Sequence, residues 1–157
     1  MSAPQPLIRS AVASDAPALA EFNRAMARET EERELNPQAV ARGVRAVFDD
    51  PSRGFYLVAE IGGELAAALM VTTEWSDWRN GAFWWIQSVY VAPQWRRRGL
   101  YRMLHRHLRE MAARDQTACG LRLYVERENH AAQKTYASLG MEETRYKMFE
   151  QPLPAGG

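Results

Sequence analysis

Three arginines and a glycine stand between two runs of very different character. Ser88-Val89-Tyr90-Val91-Ala92 is apolar and β-branched and stops at Pro93, which reads as a buried strand and its end. Arg96-Arg97-Arg98-Gly99 follows, and then Leu100, Leu104, Leu108 and Met111 repeat at a period near 3.6, the inner face of a helix. A strand that passes through such a loop into a helix presents main-chain N–H groups at the helix's positive end, an arrangement suited to phosphate. Gly99 lets a ligand come close to the backbone, and the guanidinium groups of Arg96, Arg97 and Arg98 can pair with phosphate oxygens. The lysine and Ser/Thr of a nucleotide-binding P-loop are missing from this stretch.

A second group of chemically capable residues lies between Asn129 and Gly140. Asn129 suits a helix N-cap, and Ala132 and Tyr136, four apart, share one helical face with the small residue beneath the aromatic. The plain role of Tyr136 is a core aromatic whose hydroxyl finds a partner; its chemical role is that of a proton donor. Carboxylates that could take a proton are Glu74 and Asp77 in one place and Glu29 and Glu32 in another. Trp75, Trp78, Trp84 and Trp85 concentrate near one end of a hairpin, where core packing, a dimer contact or an acceptor pocket for an apolar or cationic amine would each use them. His105, His107 and His130 lack metal-ligand spacing and read as surface side chains, and Cys119 reads as an inert buried thiol at the start of a strand.

The elements that must position these groups follow in order. Leu7-Ile8-Arg9 opens a strand, and Ser14 or Asp15 caps a helix with Leu19, Phe22 and Met26 on its buried stripe. Asn36 or Pro37 starts a second helix carrying Val40, Val44, Val47 and Phe48 on one face, ended by Asp50-Pro51. Strands over 54–61 and 64–74 form a hairpin through Gly62-Gly63, and a central strand over 82–92 returns antiparallel. Beyond the long helix, Leu121, Leu123 and Val125 alternate with polar residues in a fifth strand. A helix over 129–139 ends at Gly140, and Tyr146 to Phe149 form a final strand. Residues 1–5 and 151–157 are expected to be flexible.

The loop resembles motif A of the GNAT superfamily of N-acetyltransferases, Arg/Gln-x-x-Gly-x-Gly/Ala after a Val-x-Pro strand end, with Arg96, Gly99 and Tyr101 in the marked places. Tyr101 stands where a small residue is usual. The stretch from Asn129 to Met141 resembles the family's Asn-x-x-Ala-x-x-x-Tyr-x-x-x-Gly-Phe, with Met141 for the phenylalanine. The element order β-α-α-β-β-β-α-β-α-β is that of the family. The resemblance implies an α/β (α+β) fold: a central, mixed, mostly antiparallel twisted sheet of six to seven strands with helices on both faces, in one domain over residues 1–157.

The same resemblance implies an acyl-coenzyme A-dependent N-acetyltransferase that moves an acetyl group from acetyl-CoA to a primary amine by direct attack, without a metal. It puts the diphosphate on Arg96, Arg97, Arg98, Gly99, Leu100 and Tyr101, with Asn129 and Lys134 also toward the cofactor. Val89 or Val91 is then the amide donor to the acyl carbonyl, and Tyr136 the acid that protonates the departing thiolate. Family members often carry a glutamate on the central strand as base. Gln87 stands about there instead, and an amide cannot serve; Glu74, with Asp77, Glu29 and Glu32 as alternatives, is the base candidate. Glu32, Trp75, Asp77, Trp85 and Gln87 border the acceptor.

Lysine plus arginine (20) almost balance aspartate plus glutamate (19) over 157 residues, which gives no support for a nucleic-acid or membrane partner. No run approaches the roughly 18 apolar residues of a spanning helix, no secretory leader pattern is read, and one cysteine forms no internal disulfide. The cytoplasm is the expected location. The expected partner is a small amine, with a homodimer admitted by the habits of relatives. A protein N-terminus or lysine as acceptor, and a non-catalytic acyl-coenzyme A-binding module, are the alternatives.

Overall fold

A computed structural model of the protein describes residues 3–154. It comprises β1 (Leu7–Ser10), α1 (Ala16–Glu31), α2 (Pro37–Asp49), β2 (Phe55–Ile61), β3 (Glu64–Ser76), β4 (Gly81–Val91), α3 (Leu100–Arg114), β5 (Ala118–Arg122) and α4 (His130–Ser138). Two compact units divide the chain, one up to Leu123 and one from Tyr124.

In the first unit, five strands lie in the order β1-β2-β3-β4-β5. The first three neighbouring pairs are antiparallel and β4–β5 is parallel, so the sheet is mixed. Gly62 and Gly63 both take positive φ (57° and 85°), which closes the two-residue turn that sets Ile61 opposite Glu64. Strand alternation sends one set of side chains to each face. Leu57, Leu69, Val71, Trp84 and Ile86 meet the Leu100, Leu104 and Leu108 stripe of α3 on one face. Tyr56, Val58 and Ala68 meet Leu19 of α1 and Val44 of α2 on the other. The leucine stripe of α3 read from the sequence is buried; in α1 and α2 Leu19 and Val44 are buried, while Phe22, Met26, Val40, Val47 and Phe48 are half-buried.

Local signals also set the helix ends. The Asn36 side chain accepts from Ala39 N–H at 3.0 Å, with Pro37 in the first turn of α2. Asp15 precedes α1 but does not cap it through its side chain. Its carboxylate instead takes Val12 N–H and both terminal nitrogens of Arg9, and Glu60 accepts a further Arg9 bond, tying β1, β2 and the entry to α1 together.

Several expectations are corrected. The sheet has five strands among the described residues, not six to seven. Tyr146 to Phe149 are irregular, and β5 stops at Arg122 although the alternation continues through Val125. A period-two pattern becomes a strand only where a neighbour takes up its N–H and C=O groups. The β4–β5 ladder ends at Trp85 opposite Arg122. Cys119 is exposed rather than buried, because β5 is the last strand of the sheet. His105 is buried, at 3 % exposure, beside the leucine stripe of α3 rather than on the surface. Of the tails expected to be flexible, residues 1, 2 and 155–157 lie outside the described residues, and Pro152 to Pro154 are irregular and exposed.

Candidate active site

The strand-to-helix crossing has the geometry its residue types ask for. After β4, a short 3-10 turn over Pro93–Trp95 leads into the arginine loop. Arg97 (φ 63°) and Gly99 (φ 75°) adopt the left-handed conformation on either side of Arg98. The intrahelical ladder of α3 begins with Met103 N–H donating to Gly99 C=O at 3.1 Å, so the amides of Arg97, Arg98, Gly99 and Leu100 precede it. Such a run of amides in left-handed turns, at the positive end of a 15-residue helix, is of the kind that can receive an anion. A Cβ on Gly99 would meet nothing within 4 Å, so glycine is required there by φ rather than by space.

The arginines divide their work. Arg96 donates through Nε to Val91 C=O at 2.9 Å and through Nη2 to both Glu29 oxygens at 3.1 and 3.2 Å, and it lies 5.5 Å from the centre of the Tyr90 ring. It therefore fastens α1 to the end of β4. Arg98 lies over the Trp95 ring at 5.0 Å. Tyr101 leans along its own helix: its hydroxyl is 3.1 Å from His105 Nδ1, and its ring packs against the core on the α3 face. Burial, with Arg109 adding repulsion, lowers the His105 pKa and favours the neutral imidazole.

One residue too many distinguishes β4. Ala68 faces Tyr90 while Met70 faces Gln87, so Ser88 and Val89 together oppose Leu69 in a bulge, with Ser88 at φ 51°. Ala92 N–H donates to Ala66 C=O at 2.9 Å, which fixes that residue's polar groups toward β3. By alternation, Val91 and Val89 turn theirs to the opposite edge. Because β5 pairs only as far as Trp85, that edge carries no strand beyond Ile86 among the described residues.

Beside the bulge opens a cleft of about 590 Å³, walled by α1, α2 and strands β2 to β4. Met26, Val40, Val44, Val47 and Met70 give it an apolar lining, and Asn23, Tyr56, Thr72 and Ser88 add neutral polar groups. Burial pushes the Tyr56 hydroxyl up from its ordinary value, and a hydrogen bond with Asn23 pulls the other way. Gln87 Nε2 donates to Thr72 Oγ1 at the cleft's edge.

The residues expected at the acceptor lie largely outside this cleft. Glu32 takes a left-handed turn (φ 49°) just past α1 and does not line the cleft, whereas Glu31 does. Trp75 and Trp78, 61 % and 86 % exposed, and Asp77 ride on the far end of the β3–β4 hairpin, outside the lining. Glu74 is engaged by Arg122 Nη1 at 2.7 Å, with that guanidinium 3.5 Å over Phe83. Trp85 is half-buried between Thr72 and Arg122 in register. The sequence reading missed Asn23, Arg53, Tyr56, Thr72 and Ser88 as cleft residues, while Glu31 lies in the acidic segment from which it chose Glu29 and Glu32. The only local signal for any of them was their place on elements already recognised.

The second unit contains α4. The Asn129 side chain caps it by accepting from Ala132 N–H at 3.1 Å, and the helix closes with Met141 N–H donating to Tyr136 C=O at 3.1 Å. Lys134 is exposed, while Tyr136 is half-buried, and burial pushes its phenol above the ordinary tyrosine value. Among the described residues no group of three or more histidine, cysteine, aspartate or glutamate side chains is placed to hold a metal, and no helix is long and apolar enough to cross a membrane.

A mixed five-stranded sheet with a bulged central strand and helices on both faces is an α/β fold of the kind found in acetyltransferase structures. The chain is a member of the acetyltransferase (GNAT) family, whose model matches residues 17–141, and is thus an acyl-CoA-dependent N-acetyltransferase. It is similar to the crystal structure of a possible acetyltransferase from Clostridium difficile 630, with 42 % identity and a TM-score of 0.89 over 95 % of this chain and 98 % of that one. Two more distant structures share the fold. A ribosomal-protein-alanine N-acetyltransferase from Brucella melitensis biovar Abortus 2308 is 15 % identical, with a TM-score of 0.76 over 96 % of this chain and all of that one. The aminoglycoside N-acetyltransferase AAC(6')-Iy in complex with CoA is also 15 % identical, with a TM-score of 0.76 over 96 % and 97 %. A search of curated proteins returned no match.

Proposed function

We propose that the protein transfers the acetyl group of acetyl-coenzyme A to the primary amine of a small molecule, as a single acetyltransferase domain in the cytoplasm. The observation that carries this is the run of amides from Arg97 to Leu100, gathered by two left-handed residues at the start of α3. Main-chain amides gathered at a helix start by left-handed residues suit a diphosphate, which supports this reading. Arg97 and Arg98 supply charge beside it, and Arg96 steadies the loop through Val91 and Glu29. Asn129 shapes the start of α4, and Lys134 on its exposed side is a further phosphate contact. The family match spans residues 17–141 and so runs through both units, which supports reading them as one functional domain.

Bound acetyl-coenzyme A supplies an activated acyl carbon and a thiol leaving group. The N–H of Val89 or Val91, on the open edge of β4, donates to the acyl oxygen, a contact that contributes about 3 kcal/mol as charge develops there. The acceptor enters the cleft at Ser88 and presents its nitrogen to that carbon; the C–N bond forms as the C–S bond breaks. By resemblance Tyr136 gives its proton to the sulfur, and its burial keeps the phenol protonated for that task. The acceptor's proton passes to solvent water through the cleft and the Tyr136 phenolate regains a proton from solvent, Glu74 being held by Arg122.

Calorimetry with coenzyme A, followed by thiol release over a panel of amines, tests the reading. Micromolar binding and amine-dependent release are expected. Binding without release from any amine would support a non-catalytic module, and no binding would remove the proposal.

A further inference from the structure

We infer that the acceptor is an amine carrying an apolar body and its own carboxylate, an amino acid with a large aliphatic or aromatic side chain, and that Arg53 recognises the acid group. This deepens the acetyl-transfer reading and rests on it. The cleft's lining contains two charged residues, Glu31 and Arg53, of opposite sign. A polycationic acceptor would leave that guanidinium facing like charge, whereas a molecule bearing one ammonium and one carboxylate answers both.

Arg53 is built as a receptor. It follows α2 at the cleft's rim, where Nη1 donates to Ala46 C=O at 3.1 Å and lies 3.5 Å from Asp50. Both contacts use the same nitrogen. Nη2 and Nε have no other partner among the described residues, which leaves a fixed fork edge suited to two parallel hydrogen bonds from a carboxylate. Glu31, the last residue of α1, has no ion pair among the described residues and complements an ammonium. The methionine and valine residues that line the same cleft match an apolar side chain, and a volume of about 590 Å³ admits the largest of the natural ones.

The test compares each amino acid with its decarboxylated amine as acetyl acceptor: leucine against 3-methylbutylamine, phenylalanine against phenethylamine, with kanamycin as the polycation. Thiol release gives kcat/KM for the wild type, Arg53→Gln and Arg53→Lys. The acids should lead their amines by about tenfold, the scale of one charge-assisted bidentate contact at a half-exposed rim. Arg53→Gln should erase that lead by raising KM for the acids alone, and Arg53→Lys should restore part of it. Equal rates for acids and amines, a faster polycation, or a lead that survives Arg53→Gln would each overturn the inference while leaving acetyl transfer standing. The wild-type comparison decides the matter even if a variant fails to fold. Thiol release from no amine at all would instead refute the acetyl-transfer reading and this inference with it.

Discussion

Gly99→Ala separates the anion receptor from ordinary loop structure, because the structure predicts its two effects independently. The added methyl would touch nothing within 4 Å, so no packing cost arises. The residue must hold φ at 75°, which costs an alanine about 1–2 kcal/mol. Part of this is offset by about 0.4–1 kcal/mol, since alanine restricts the unfolded chain more than glycine does. The net loss is on the order of 1 kcal/mol, or about 2–4 °C in Tm for a chain of this size. The methyl also stands among the amides that would face a diphosphate, and losing one or two hydrogen bonds to a charged group costs about 1.5–3 kcal/mol. That corresponds to roughly 10- to 100-fold weaker coenzyme A binding. Gly43→Ala is the control: it too meets nothing within 4 Å, but it sits inside α2, where alanine is favoured by about 0.5–1 kcal/mol. It should raise Tm, leave coenzyme A affinity unchanged and alter only the acceptor's KM, because Gly43 lines the cleft. Melting curves and calorimetry read both. Coenzyme A affinity unchanged in a folded Gly99→Ala protein would refute the assignment of the receptor.

Other outcomes follow from the same geometry. Tyr136→Phe should lower kcat by about 100-fold or more with coenzyme A affinity intact, and an unaltered kcat would end its role as acid. Leu104→Ala removes a side chain with no exposure from the α3 face and should cost about 2–5 kcal/mol, read as a lower denaturant midpoint. The neutral His105 makes stability depend on pH: the unfolded chain binds a proton below the ordinary value of 6.5 that the folded chain resists. Stability should therefore be complete above that pH and decline as pH falls through it toward the lower folded value; His105→Gln should flatten this part of the curve. Glu74→Gln breaks the pair with Arg122 at an exposed site, so a change in Tm of no more than about 2–4 °C with little loss of turnover is expected. A collapse of turnover would return Glu74 to the role of base.

How far the sequence reached is clearest at the loop and the helices. The Leu100 stripe, the Asn36 and Asn129 caps, the Gly62-Gly63 turn and the strand-loop-helix passage around Gly99 were all legible. Each is written in spacing or residue type within a few positions, and the resemblance carried by two short motifs matched the family. The sequence missed where distant segments decide. Alternation through Val125 and at Tyr146 to Phe149 promised strands, but a strand exists only through a partner's backbone. The pairing of Arg96 with Glu29, on a helix far back in the chain, has no local signal. Tyr101, an anomaly against the motif, proves to be bound to a buried His105 on its own helix.

The cleft proposed for the acceptor belongs wholly to the tertiary structure. Asn23, Glu31, Arg53, Tyr56, Thr72 and Ser88 come from five separate segments, and no local pattern joins them. The bulge that turns Ser88 toward them is a register step between β3 and β4, a property of two strands together. Sequence by itself determined which faces are apolar and where an anion can meet a helix start, because short-range sterics and hydrophobic period settle those. Which charged groups line the cleft was decided only by how α1 and α2 cross the sheet.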